Sequence, residues 1–363
     1  MRLQFSAGSV GQSPERLSAP VADRGRPSPV PPSQSGSGSA SNLRVAQMNM
    51  WNFFDTVDDP AIEDKLPTAV EYRTKIEKIA RSISQELGNP DIISLNEIEN
   101  ERVLADLLQH PLLADSGYRS IVGTLNDGRG IRVGMLYRDA KLDVVKVSEF
   151  NPKVQLSDPG RGQLDQSLLY ARAPLIVDFH VRGVAQATEG VANLTVVTNH
   201  FKSKLGGDGP EVRRVAQGEH LAGWVDARRA ASPNVPIMVV GDLNATYEDG
   251  AYKKLAFRPD GSPRMTDVVE RLPESDRYTY IYRGRKDLLD HMLVTPEWAQ
   301  ALKNVRIPHF NTAKGAMAYA SDPTKTAGTS DHDPIVADFD LARLIRGGAG
   351  VAQARTAPLM LAS

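Results

Sequence analysis

What most limits how this chain can fold is a set of short apolar runs that each meet a carboxylate, amide or imidazole at one end. The sharpest is Pro236-Ile237-Met238-Val239-Val240, followed at once by Gly241-Asp242-Leu243-Asn244. The run reads as a buried strand, and Gly241 lets the backbone turn tightly where it ends. Asp242 and Asn244 stand two residues apart, which in extended backbone puts both side chains on one face. A carboxylate beside an amide suits a hydrated divalent cation and a phosphate oxygen. Alone, the same tetrapeptide is ordinary turn chemistry, so its meaning depends on what the other strand ends supply.

Composition narrows the field. The chain has 363 residues, 41% of them hydrophobic, enough to bury a large core in one domain or two. A formal net charge of -1 provides no bulk positive field, so any nucleic-acid partner would need a local basic face. The absence of cysteine excludes disulfides, cysteine-ligated zinc and thiol nucleophiles. No apolar stretch nears the roughly 20 residues of a membrane span. The N-terminus lacks the basic start and apolar centre of a secretory signal.

Residues 1–42 are rich in Ser, Pro and Gly and are expected to be a disordered leader, and residues 343–363 a flexible tail. Residues 43–342 alternate strand-like and helix-like segments. Tyr72, Ile76, Ile79, Ile83 and Leu87 keep helical spacing, stopped by Gly88-Asn89-Pro90. Val103, Leu104, Leu107 and Leu108 mark a second helix, and Val212, Val215, Ala216 and Trp224 a third. Strands are expected at Leu43 to Met48, Asp91 to Leu95, Tyr118 to Gly123, Val133 to Tyr137, Leu142 to Val147 and Leu175 to Phe179. Further strands follow at Leu194 to Thr198, Val235 to Val240, Tyr278 to Tyr282, Leu289 to Val294, Val305 to Pro308 and Pro334 to Phe339. Such a pattern suggests two packed sheets flanked by helical layers.

Polar residues of one chemical type gather at the strand ends: Asn49, Glu97, Asn199-His200, Asp242-Asn244 and Ser330-Asp331-His332, with Asp290-His291 opening a strand. One carboxylate at a strand terminus is commonly a solvated edge or a helix cap; a whole set is harder to assign that way. Oxygen donors without cysteine favour a hard ion such as Mg2+ or Mn2+ over zinc. Histidines beside carboxylates suit acid–base work near neutral pH.

Ile93-Ser94-Leu95-Asn96-Glu97, Thr198-Asn199-His200-Phe201-Lys202-Ser203-Lys204, Gly241-Asp242-Leu243-Asn244, Leu289-Asp290-His291 and Ser330-Asp331-His332-Asp333-Pro334-Ile335 resemble the endonuclease/exonuclease/phosphatase superfamily. They stand in that family's order, and Asn-His-Phe-Lys-Ser-Lys with Asp127-Gly128-Arg129-Gly130-Ile131 resembles its bacterial extracellular-nuclease-like, DNase-I-like subgroup. The resemblance implies a four-layer α/β/β/α sandwich and a divalent-metal-dependent phosphoric ester hydrolase, with Mg2+ as cofactor and Mn2+ or Ca2+ as alternatives. It implies Glu97 as principal metal ligand, Asn49 adjacent and Asp331 as a further contact. Asp242 would orient or deprotonate the attacking water, and Asn244 would hold a phosphate oxygen. His332 would bind phosphate and share in proton transfer, held in register by Asp290. His200 would face the leaving group as acid or phosphate ligand, with Lys202 and Lys204 beside it as substrate contacts.

Other residues read more plainly. His291 should point to the opposite sheet face from Asp290. His110, His180, His220 and His309 read as surface or core fillers, Glu99 as the start of the next helix, and Asp333 as a loop cap. The subgroup often carries an acidic residue where this chain has Arg132, which leaves the partner of His200 open. Arg213-Arg214, Lys253-Lys254 and Arg283-Gly284-Arg285-Lys286 are candidate basic patches, or ordinary solvated charges. The reading is therefore a monomeric endonuclease or exonuclease acting on nucleic acid, DNA ahead of RNA. A hydrolase of small or lipid-headgroup phosphate esters is the alternative, and an inactive binding module on the same fold is a third. The resemblance points to secretion or the periplasm, but without a recognisable export signal the cytoplasm stays open.

Overall fold

A β-strand sends successive side chains to opposite faces, so a strand that is apolar at every position must be covered on both. In the computed structural model the central strands are covered in this way. It describes residues 42–150, 155–157, 164–183, 192–204, 208–233 and 235–345, so the expected leader before residue 42 and the tail beyond 345 lie outside the described residues.

The strands of the first half are β1 (Asn42–Phe53), β2 (Ile92–Ile98), β3 (Tyr118–Val122), β4 (Arg132–Arg138), β5 (Leu142–Glu149), β6 (Gln155–Ser157), β7 (Leu164–Leu168) and β8 (Leu175–Val181). β9 (Leu194–His200), β10 (Ile237–Asp242), β11 (Thr266–Asp267), β12 (Tyr280–Tyr282), β13 (Arg285–Asp287), β14 (Asp290–Val294), β15 (Leu302–Arg306) and β16 (Ile335–Asp340) follow. The α-helices are α1 (Ala69–Arg81), α2 (Glu101–Leu108), α3 (Asp208–Ala231), α4 (Gly250–Ala256) and α5 (Pro296–Ala301).

Two six-stranded sheets form, in the orders β15-β16-β1-β2-β4-β3 and β11-β14-β10-β9-β8-β5. Each has one parallel pair at its centre, β1 with β2 and β9 with β10, and antiparallel ladders outside it. Val45, Ile92, Val133, Val196, Met238, Val240 and Met292 fill the space between the sheets. Their sequence neighbours face outward. Ala46, Met48, Ile93 and Leu95 pack with Ile79 and Ile83 of the α1 segment and Val103 of α2. Val197, Val239 and Leu293 pack with Leu221 and Val225 of α3 and Tyr252 of α4. Three buried interfaces define four layers, α/β/β/α, as expected.

α1 opens on a capping box. Thr68 Oγ1 accepts the Glu71 amide at 3.2 Å, and the Glu71 carboxylate accepts the Thr68 amide at 2.8 Å. The helix runs on through a π turn at Ser82–Glu86 and stops where Gly88 and Asn89 take φ of 70° and 52°.

Several expected boundaries shift. Glu99 does not begin a helix: Asn100 caps α2, and the buried Glu99 carboxylate accepts the Asp55 amide at 2.6 Å. β12 starts at Tyr280, after Thr279, whose carbonyl oxygen accepts the Asp333 amide at 2.7 Å, and the Tyr278 ring stacks on His309. β15 lies earlier than Val305 to Pro308, leading straight from α5; Pro308 has no amide hydrogen to offer a ladder. Residues 341–345 make a helical turn with Leu344 and Ile345 buried, so the packed chain takes in residues 343–345, which composition assigned to the tail.

His291 does face the layer opposite Asp290, and it ties that layer together. Its Nδ1 lies 2.7 Å from Asp267 Oδ2 and its Nε2 2.7 Å from the Ala245 carbonyl oxygen. Both ring nitrogens face acceptors, which suits the doubly protonated ring. Burial opposes that charge, but the Asp267 bond and charge outweigh it and raise the pKa. Stability from a raised histidine is complete below the unfolded pKa of about 6.5 and is lost as pH rises through the folded value. His291→Ala should cost about 3–5 kcal/mol in denaturant melts by leaving Asp267 buried and unpaired. The deficit should shrink at alkaline pH.

Candidate active site

The space between the sheets is apolar at one end and polar at the other, and the inward register of each central strand makes that change. On β1 the inward positions run Val45, Gln47, Asn49; on β2, Ile92, Ser94, Asn96; on β9, Val196, Thr198, His200; on β10, Met238, Val240, Asp242. Antiparallel β14 runs the other way and brings Asp290 opposite Asp242. The polar groups thus collect at the carboxyl ends of the two parallel pairs, where open α/β sheets place their ligands.

Asp242 stands at the centre. Its Oδ1 accepts the Asn244 amide at 2.8 Å, and its Oδ2 accepts Asn49 Nδ2 at 3.3 Å. His200 Nε2 lies 3.6 Å from Asp242 Oδ2 and 3.9 Å from Glu97 Oε1. Glu97 Oε2 accepts the Asn52 amide at 2.9 Å. On the other side His332 Nδ1 meets Asp290 Oδ2 at 2.7 Å, which leaves Nε2 for a ligand. Asn244 Nδ2 donates to the Phe201 carbonyl oxygen at 3.3 Å.

The backbone is bent to reach this arrangement. Glu97 and Asn244 have φ of 61° and 48°, and Trp51 and Asn52 have φ of 50° and 53°. Left-handed backbone at non-glycine residues costs of order 1–3 kcal/mol each and gathers at functional sites. Gly241 has φ of 138°, and a Cβ there would stand 2.0 Å from the Asn199 carbonyl oxygen. Only glycine fits between β9 and Asp242.

Electrostatics divide the two histidines. Burial disfavours charge on His332, but Asp290 overrides it and holds the pKa well above the ordinary range. Burial, with the Arg172 charge nearby, holds His200 well below it. Burial and repulsion by Asp290 push Asp242 up. Titratable neighbours driven apart in this way are the mark of acid–base division of labour.

Among the described residues Asp242, Asp290 and His332 can bring ligand atoms within 4.8 Å of one another. We do not take that trio as the metal cradle, because both Asp290 oxygens are already engaged, by Gln47 Nε2 at 2.6 Å and by His332. The Glu97 side fits a hard divalent cation better. Glu97 Oε1 is a carboxylate oxygen with the His200 ring at 3.9 Å, and Asn49, whose Oδ1 accepts the Trp51 amide at 2.9 Å and keeps a second lone pair, stands beside Asp242.

The remaining expected residues lie at the margins. Asp331 is half-buried, near Lys75 and Tyr280, with the Ser330 hydroxyl at 3.5 Å. Lys202 is partly buried beside Arg172. Lys204 pairs with Asp249 at 2.6 Å. Arg132 donates to the Glu99 carbonyl oxygen and to Asn126 Oδ1, while the cations bearing on His200 are Arg172, His332 and Arg129. His200 Nδ1 has no hydrogen-bond partner. His309 is more than filler: its Nδ1 meets Asp333 at 2.9 Å, and Asp333 also accepts the Asn311 amide at 2.8 Å, bracing the loop that carries His332.

Other polar groups at the site had escaped sequence reasoning. Gln47 bonds Asp290, Asn96 Oδ1 accepts the Asp242 amide at 3.1 Å, and Thr279 Oγ1 accepts the Asp290 amide at 3.2 Å. Arg172, buried, donates to Asp127 at 2.7 Å and to the Phe201 carbonyl oxygen at 3.0 Å. Lys75, pulled down to about 8 by burial, donates to the Thr329 carbonyl oxygen and borders a cleft of about 520 Å³ lined in part by Trp51 and Asn52. The available signal was amides at inward positions of otherwise apolar strands.

Residues 44–327 match the Endonuclease/Exonuclease/phosphatase family, and the chain belongs to that family. Its name spans nucleases and phosphatases, so the class is that of phosphoric ester hydrolases. No curated protein matches the chain in sequence. Among solved structures it is similar to an endonuclease/exonuclease/phosphatase from Bacteroides vulgatus, at 18% identity and a TM-score of 0.54, covering 83% of this chain and 99% of that one. It is similar to D. rerio TDP2 in complex with a single-strand DNA product, at 15% identity and a TM-score of 0.53, covering 82% and 99%. The human Nocturnin catalytic domain with bound sulfate is similar at 19% identity and a TM-score of 0.51, covering 82% and 94%. At such identities the likeness establishes the fold.

Proposed function

We propose that this chain is a divalent-metal-dependent phosphodiesterase that hydrolyses nucleic-acid phosphodiester bonds, DNA ahead of RNA, by in-line attack of water. The observation that carries the reading is the convergence of Asp242, His200, Glu97 and the Asp290–His332 pair at one end of the inter-sheet space. Asp242, raised by burial, takes the proton of the attacking water, and the Asn244 amide holds a phosphate oxygen. The His332 imidazolium, held by Asp290, neutralises charge developing on phosphate and gives its proton to the departing oxygen as the P–O bond breaks. His200, held toward the neutral form by burial, donates a hydrogen bond to a phosphate oxygen. Mg2+, Mn2+ or Ca2+ at Glu97 and Asn49, with Asp331 further out, would neutralise phosphate charge. The DNA complex of the TDP2 neighbour is in keeping with this substrate class.

The net charge of -1 favours a second reading, a small phosphate ester as substrate. One panel separates the two. The purified chain with Mg2+, Mn2+, Ca2+ or EDTA is given plasmid, single-stranded DNA, RNA, a phosphomonoester and bis(p-nitrophenyl) phosphate. Metal-dependent DNA cleavage, abolished by EDTA, is expected. Turnover of a small ester with no cleavage of any nucleic acid would sink the nuclease reading.

A further inference from the structure

β12 and β13 form a two-stranded hairpin outside both large sheets. An isolated hairpin is marginal in water, and this one is anchored at its root to the reacting residues. The Asp333 amide donates to the Thr279 carbonyl oxygen at 2.7 Å, Thr279 Oγ1 accepts the Asp290 amide, and Tyr280 makes a backbone bridge to His332. The Tyr280 and His332 rings are 4.8 Å apart.

The tip is built differently. Residues 282–286 are exposed, and Tyr282 is 45% exposed with the Arg283 guanidinium 5.2 Å above its ring. Arg283 and Gly284 make the two-residue turn with φ of 49° and 83°. That geometry prefers Asn or Gly at its first position, so an arginine there is held against backbone preference. Arg285, paired with Asp287 at 3.1 Å, shares the Tyr282 face, while Lys286 lies 3.9 Å over Tyr278 on the other face and donates to the Ser275 carbonyl oxygen at 3.3 Å. A flat aromatic–guanidinium stack among cations is suited to an unpaired base and its phosphates; a base inside a duplex already stacks on its neighbours.

We propose that this hairpin is the docking element for single-stranded nucleic acid: a base stacks on Tyr282, while the Arg283 guanidinium beside it takes a flanking phosphate. Tyr282 is two strand residues, roughly 7 Å, beyond Tyr280, so the held strand passes directly by His332. This assignment rests on the nucleic-acid reading above and narrows it to unpaired strands.

Arg283→Gly makes a clean test because glycine suits the turn and should leave the thermal midpoint no lower. Tyr282→Ala is its companion. A single-stranded oligonucleotide, the same sequence as a blunt duplex, and bis(p-nitrophenyl) phosphate are assayed with wild type and both variants. In each variant kcat/KM for the single strand, divided by that for the small ester, should fall roughly tenfold. For Arg283→Gly the salt dependence of log KM should flatten by about 0.7 for each phosphate that the variant no longer neutralises. A wild-type ratio in both variants overturns the docking role and leaves the nuclease reading standing. Equal losses on duplex and single strand overturn the preference for unpaired strands. Turnover of the ester without cleavage of either oligonucleotide by wild type overturns the nucleic-acid reading and this proposal with it.

Discussion

Asp242→Asn is expected to lower turnover roughly 10²–10⁴-fold, the usual worth of a positioned general base, without lowering the thermal midpoint much. The substitution removes proton affinity and keeps shape: an amide oxygen still accepts the Asn244 amide, as Oδ1 does at 2.8 Å. It also removes a buried negative charge from beside Asp290 and Glu97, whose repulsion helps to raise Asp242. The pH profile gives a second readout. A base works ionised, so a raised pKa moves the acid limb above the value near 3.9 expected of an ordinary aspartate. That limb should disappear in the variant. Wild-type turnover in Asp242→Asn would mean the reacting centre lies elsewhere.

The second large effect concerns the Asp290–His332 pair. His332→Ala should also cost roughly 10²–10⁴-fold in kcat, and it leaves Asp290 buried without its partner, which destabilises by about 3–5 kcal/mol. Asp290→Asn keeps the ring but removes the charge that holds it protonated. Because the two residues act as one unit, the double variant should be scarcely slower than His332→Ala alone. Additive losses would show independent roles.

Much of this was legible in one dimension. Residue parity put His291 on the opposite face from Asp290, because side-chain direction along a strand alternates; which face is inward came only from the packing of the two sheets. The ends of the apolar runs marked where Asn49, Glu97, His200 and Asp242 would stand. Relations between strands were hidden. Gln47 bonds Asn96 on β2, its neighbour in the same sheet, and reaches across to Asp290 on β14 of the other sheet. The pairing of Lys204 with Asp249 could not be read from the residues beside His200. Glu99 resembled a helix start, yet an amide from residue 55 claims its carboxylate.

Residue order alone settles which side chains lie on which face of each strand, that two sheets share a core, and which chemical groups stand at the strand ends. These follow from local geometry, which neighbouring residues set. The electrical state of those groups emerges only when the chain has folded. His200 and His332 each follow an apolar or loop segment with a neighbouring polar residue, and nothing local separates them. One is neutral beside Arg172 and the other cationic beside Asp290 because protonation depends on burial and on charges delivered from distant strands.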